Sequence, residues 1–81
     1  MLNEPRRGKL DVISEILRLA KHGSNKTHIV YHGNLNFQLL RNYIIGLDKN
    51  GLIECRDTLI KTTEKGKQYL ILYEQLKTMV W

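Results

Sequence analysis

The stretch HIVYHGNLNFQLLRNYI, residues 28–44, carries apolar residues at helical spacing on both sides of a central Gly33-Asn34 pair. Both residues of the pair tolerate positive φ at low cost, so a turn is expected there rather than one continuous helix. A short helix over about residues 27–32, with Ile29, Val30 and Tyr31 as its apolar content, therefore ends at Gly33. Leu35 follows as a buried anchor, and Asn36 is placed to cap a third helix that runs to about Asn50. In that helix Leu40, Tyr43 or Ile44, and Leu47 form the inward stripe, while Gln38, Arg41, Asn42 and Lys49 face outward.

Upstream, Leu10, Ile13, Ile16 or Leu17, and Ala20 recur at helical steps, with Lys9, Asp11, Glu15 and Arg18 on the other face. This first helix stops at HGSN, where Gly23 suits a left-handed closing residue and Ser24, Asn25 and Thr27 are candidate caps for the next helix. Downstream, Gly51 ends the third helix, and LIECRDTLIK reads as two short strands joined tightly at Asp57-Thr58. Alternation puts Ile53 and Cys55 on one face, with Cys55 expected inward as a small buried apolar group, and Glu54 and Arg56 on the other. Thr63 then caps a long final helix.

Helix, short helix, glycine-containing turn and capped helix make a helix-turn-helix, because the turn forces the second and third helices to cross steeply. The hairpin adds a wing. The expected fold is mainly α with a small β-hairpin, a winged helix-turn-helix plus a long C-terminal helix. Residues 1–8 form a basic arm, 9–62 the winged unit and 63–81 the last helix.

The chain has 81 residues, 42% hydrophobic and 26% charged, enough for one small core whose stability is marginal without further support. Its lone Cys55 cannot form an internal disulfide, and with no signal-like N-terminus it suits a reducing, cytoplasmic compartment. Its longest apolar runs, YLILY and YIIGL, are far shorter than the roughly 18 residues of a membrane span. Thirteen Lys and Arg against eight Asp and Glu give a net charge of +5 and favour a polyanionic partner.

The outer face of the third helix suits double-stranded DNA. Arg41 has the geometry to pair bidentately with guanine, Gln38 and Asn42 with adenine, and their spacing places all three on one stripe. The helix starts at Thr27 and Asn36 offer free N–H groups to phosphates, with Lys26 adding charge beside the first. Arg56 and Lys61 on the hairpin and Arg6 and Arg7 in the arm are placed to hold the flanking backbone. His28 and His32 stand four apart, but no further ligand set completes a metal site, and neither a phosphate loop nor a catalytic constellation is present, so no cofactor and no enzymatic activity are expected.

GNLNFQLLRNYIIGLDKNGLI followed by TTEKGKQYL resembles the small archaeal winged-helix DNA-binding proteins, including chromatin-associated ones that dimerise through a long C-terminal helix. The matched positions are Gly33, Asn34, Leu35, Asn36, Phe37, Gly51, Leu52, Ile53, Thr63, Glu64, Lys65 and Gly66. The resemblance implies double-stranded DNA binding by a symmetric dimer. Thr62 stands where the family usually has an apolar residue, from which a frayed or shifted second strand is expected, and the hairpin is short for a wing that enters a groove.

The final helix carries more apolar residues than one packing stripe uses. Tyr69, Leu72 or Tyr73, Leu76, and Met79 or Val80 fit a seam with a second copy, which would offer two recognition helices to half-sites one DNA turn apart. The competing expectation is a winged helix serving as a protein-interaction module without DNA binding, suggested by the apolar Leu39 and Ile45 beside Arg41.

Overall fold

The computed structural model describes residues 8–80, of Val80 the backbone alone, so Arg6 and Arg7 of the basic arm lie outside the described residues. The elements run α1 (Lys9–Leu19), α2 (Lys26–Gly33), α3 (Phe37–Lys49), β1 (Ile53–Arg56), β2 (Leu59–Thr62) and α4 (Glu64–Val80). The fold is mostly helical, with one antiparallel hairpin.

Every helical element gives its apolar face to one core. Val12, Ile16, Leu17 and Ala20 come from α1 and its end, Ile29 from α2, Leu40, Ile44 and Leu47 from α3, and Leu70 from α4. Ile53 and Ile60 bring the hairpin to the same centre. The stripe of α1 is set by Val12 rather than Leu10, which is exposed because the first turn projects past the core and lies beside Tyr73 and Leu76 of α4.

The α2–α3 turn falls at Gly33-Asn34, where it is expected. Asn34 alone takes the left-handed conformation, at φ 56°. Gly33 is the last residue of α2 and is buried against the Leu19 and Leu35 side chains. The caps are local and strong: Asn25 Oδ1 accepts the His28 N–H at 2.8 Å, and Asn36 Oδ1 accepts the Leu39 N–H at 2.7 Å. At the end of α3, Gly51 sits at φ 76°, its N–H donates to the Asp48 carbonyl and the Leu52 N–H to the Leu47 carbonyl, a Schellman closure.

Two corrections concern the hairpin. Thr62 does not fray the second strand. It pairs with Ile53 and is buried, its N–H donates to the Ala20 carbonyl, and its hydroxyl donates to the Leu17 carbonyl at 2.7 Å. The hydroxyl satisfies a carbonyl in the last turn of α1 that has no partner within its own helix, which is why a polar residue fits where an apolar one was expected. Ser24 is not a helix cap. It is buried and bridges Ile60 through both backbone hydrogen bonds, so that the α1–α2 connection forms a third edge along β2.

The Thr63–Gly66 segment is fastened to the end of α3. Thr63 donates its N–H to the Leu52 carbonyl and its hydroxyl to the Gly51 carbonyl at 2.6 Å, and that hydroxyl accepts the Gly66 N–H at 3.1 Å. Lys65 Nζ reaches the Asn50 carbonyl at 2.8 Å. Gly66 is buried so closely that a Cβ there would stand 2.3 Å from the Leu52 oxygen.

Candidate nucleic-acid interface

The buried stripe Leu40, Ile44 and Leu47 fixes the rotation of α3, and this turns Gln38, Arg41, Asn42 and Lys49 to solvent. All four are exposed, and among the described residues Arg41 and Lys49 have no carboxylate within ion-pair distance. Lys49 lies in line with Asn42 and Gln38 and belongs with the candidate set, a membership its seven-residue spacing from Asn42 already signalled. Asn36 holds the helix start through its capping oxygen, so it acts on this face by fixing α3 and its backbone.

Lys26 and Thr27, in the first turn of α2, converge with Phe37 of α3 and with Asp57 and Thr58 at the hairpin tip around an open groove of about 460 Å³. The α2 start, the α3 start and the wing tip thus share one surface. Arg56 and Lys61 are exposed on the hairpin face opposite Ile53 and Ile60, and Lys61 stands across from Glu54 in register. Glu54 also pairs with Arg56 at 3.6 Å. Such an exposed pair is weak, and it lowers the net charge the wing presents. Asp57, at φ 52°, closes the two-residue loop, so the wing is short.

Cys55 corrects the expectation of a buried strand residue. It sits on the inward face opposite Ile60, but no element among the described residues closes the groove at that point, and the thiol is exposed. Partial desolvation, followed by the nearby Asp48, raises its pKa above the ordinary thiol value, and Lys26 opposes the shift. It is therefore mainly a neutral thiol at pH 7. The His28 and His32 rings lie against each other, 4.2 Å between centroids and tilted by 44°, on the exposed face of α2, and no group of three metal-ligating side chains occurs among the described residues.

On α4, Tyr69 and Tyr73 face α1 and are half-buried, and the Tyr73 hydroxyl donates to Asp11 Oδ1. Leu72, Leu76 and Met79 are exposed, Met79 by 82%. Of the expected seam residues, two are thus engaged mainly within the domain, three are open, and the side chain of Val80 lies outside the described residues. No helix among the described residues is long and apolar enough to cross a membrane.

The chain is similar to two proteins of the archaeon Methanocaldococcus jannaschii. One is an uncharacterized protein 38% identical over 76 residues, covering 91% of this chain and 78% of that protein. The other, also uncharacterized, is 34% identical over 77 residues, 94% of this chain but 36% of its own length, so this chain spans about a third of that relative. The fold superposes on the crystal structure of Sso10a-2, a DNA-binding protein from Sulfolobus solfataricus, with a TM-score of 0.80 and 25% identity, covering 90% of this chain and 81% of that one. A winged helix-turn-helix family model matches residues 6–80. With nearly the whole chain matched, and with the helix–turn–helix of α2 and α3 and the hairpin both in place, this protein belongs to the winged helix-turn-helix family.

Proposed function

We propose that the chain is a dimeric double-stranded DNA-binding protein, acting in the cytoplasm on the nucleoid as a transcriptional regulator or a nucleoid-associated protein, with α3 in the major groove. The observation that carries the proposal is the exposed line of Gln38, Arg41, Asn42 and Lys49, held outward by the buried stripe on the opposite side of α3. Lys26 and Thr27 contact a phosphate at the α2 start, and Arg56 and Lys61 hold the backbone beside the wing. The net charge of +5 and the DNA-binding neighbour Sso10a-2 support the same reading. Residues 1–8 serve as a basic arm, 9–62 as the DNA-binding unit and 63–81 as the dimerisation helix, whose open face of Leu72, Leu76 and Met79 meets a second copy.

The exposed Phe37, Leu39 and Ile45 on the same helix favour the second reading, a protein-interaction module. One experiment separates them: binding of the wild type and Arg41→Ala to random and site-enriched duplexes across a salt series. A log–log salt slope of about −4 to −8 is expected for a handful of neutralised phosphates. Loss by Arg41→Ala on the enriched site alone marks a sequence-reading regulator, whereas equal loss on all duplexes marks a chromatin-type binder. No binding at low salt refutes the DNA reading and leaves the protein-interaction module.

A further inference from the structure

One residue on the outward line of α3 is accounted for neither by folding nor by phosphate contact. At about 100° per residue, Asn42, Ile45 and Lys49 fall within about 40° of Gln38, and Arg41 lies about 60° to one side. Ile45 is at the middle of that line and is 62% exposed. An isoleucine there gains little from burial and is a poorer helix former than alanine or lysine. Beside it Gly46 has no side chain, and a Cβ there would meet no atom within 4 Å, so the helix surface is open to close approach.

A branched aliphatic group set among Gln, Arg, Asn and Lys matches one feature of the major-groove edge, the thymine C5-methyl group. Arg41 and Lys49 flank Ile45 one turn to either side, and with the exposed Asp48 about 60° away the balance of charge around this apolar group is positive, in a chain of net charge +5. Phe37 and Leu39 lie roughly 100° to either side of Gln38, off the line.

We propose, resting on the DNA-binding reading above, that Ile45 is a specificity residue that packs against a thymine methyl, so that preferred half-sites carry thymine next to the base pair met by Asn42 or Arg41. The methyl is the whole of the contact. Replacing thymine by deoxyuridine deletes it and keeps every hydrogen-bonding edge.

The test takes duplexes enriched from a random pool and exchanges each thymine in turn for deoxyuridine, with binding measured for the wild type and Ile45→Ala at one salt concentration. Ile45 is exposed, so the variant is expected to fold, which far-UV circular dichroism checks. The wild type is expected to lose about fourfold in affinity at one position per half-site, the equivalent of one buried methyl, while Ile45→Ala binds both duplexes equally. A wild type indifferent to every exchange, or an Ile45→Ala protein that keeps the loss at the same position, overturns the inference and leaves DNA binding intact. Failure to bind any duplex at low salt overturns both.

Discussion

Two buried helical glycines should respond to alanine in opposite directions. In Gly66→Ala the new Cβ would stand 2.3 Å from the Leu52 oxygen and 2.6 Å from Thr62 Cγ2, far inside the roughly 3.5 Å at which such atoms rest. Relief requires the start of α4 to move away from Leu52, which loosens the Thr63 N–H bond to the Leu52 carbonyl and the Thr63 hydroxyl bond to Gly51. Overpacking costs about 1–3 kcal/mol and each weakened hydrogen bond about 1, against a gain of about 1 from replacing glycine in a helix. The net loss is about 3 kcal/mol, or roughly 12–24 °C in Tm for a domain of this size.

In Gly33→Ala the Cβ meets Leu19 Cδ1 and Leu35 Cδ1 at 3.5 Å, ordinary contact, and the backbone there is helical. This variant should gain up to about 1 kcal/mol, because alanine restricts the unfolded chain. The assay is thermal and urea unfolding followed by circular dichroism at a fixed protein concentration, since a dimer's Tm depends on it. A Gly66→Ala protein that melts within a few degrees of wild type would show that the close approach of α4 to Leu52 is not a constraint on the fold. A Gly33→Ala protein destabilised by more than about 1 kcal/mol would restore Gly33 as the turn-making residue.

Thr62→Val removes the hydroxyl bond to the Leu17 carbonyl while keeping shape, and should cost about 1–2 kcal/mol in urea unfolding; an unchanged midpoint would mean that water or a shifted backbone satisfies that carbonyl. The Tyr73 hydroxyl has its pKa raised, first by its bond to Asp11 and then by burial, so its contribution is whole below the unfolded value near 10.0 and is lost as pH rises through the higher folded value. Stability of the wild type should therefore fall more steeply than that of Tyr73→Phe above about pH 10, and parallel curves would refute the link. Leu76→Asp and Met79→Asp, at positions 57% and 82% exposed, should leave circular dichroism unchanged and convert a dimer to monomer in sedimentation. A wild type already monomeric at tens of micromolar would remove the dimer proposal.

The elements were legible where their signals are local. Capping by Asn25 and Asn36, closure at Gly51, and the stripe Leu40, Ile44 and Leu47 each depend on residues within a few positions, and periodicity reports them directly. The outward set Gln38, Arg41 and Asn42 followed, because fixing one face of a helix fixes the other. Where reading failed, the partner was distant in sequence or the question was one of coverage. Ser24 meets Ile60 and Thr62 meets Leu17, and neither pairing leaves a mark on the residues around it. Cys55 alternates inward as expected, yet alternation says nothing about whether a layer lies over that face.

The sequence by itself determined the order of the elements and the apolar face of α3, and hence which side of α3 can meet a partner, since these are short-range consequences of side-chain period and caps. Only the tertiary structure decided why a glycine must stand at residue 66, which of Gly33 and Asn34 makes the turn, and how far along α4 the domain's own packing extends. Those depend on the distance between segments that are remote in the chain, and such distances are set by how the whole core closes.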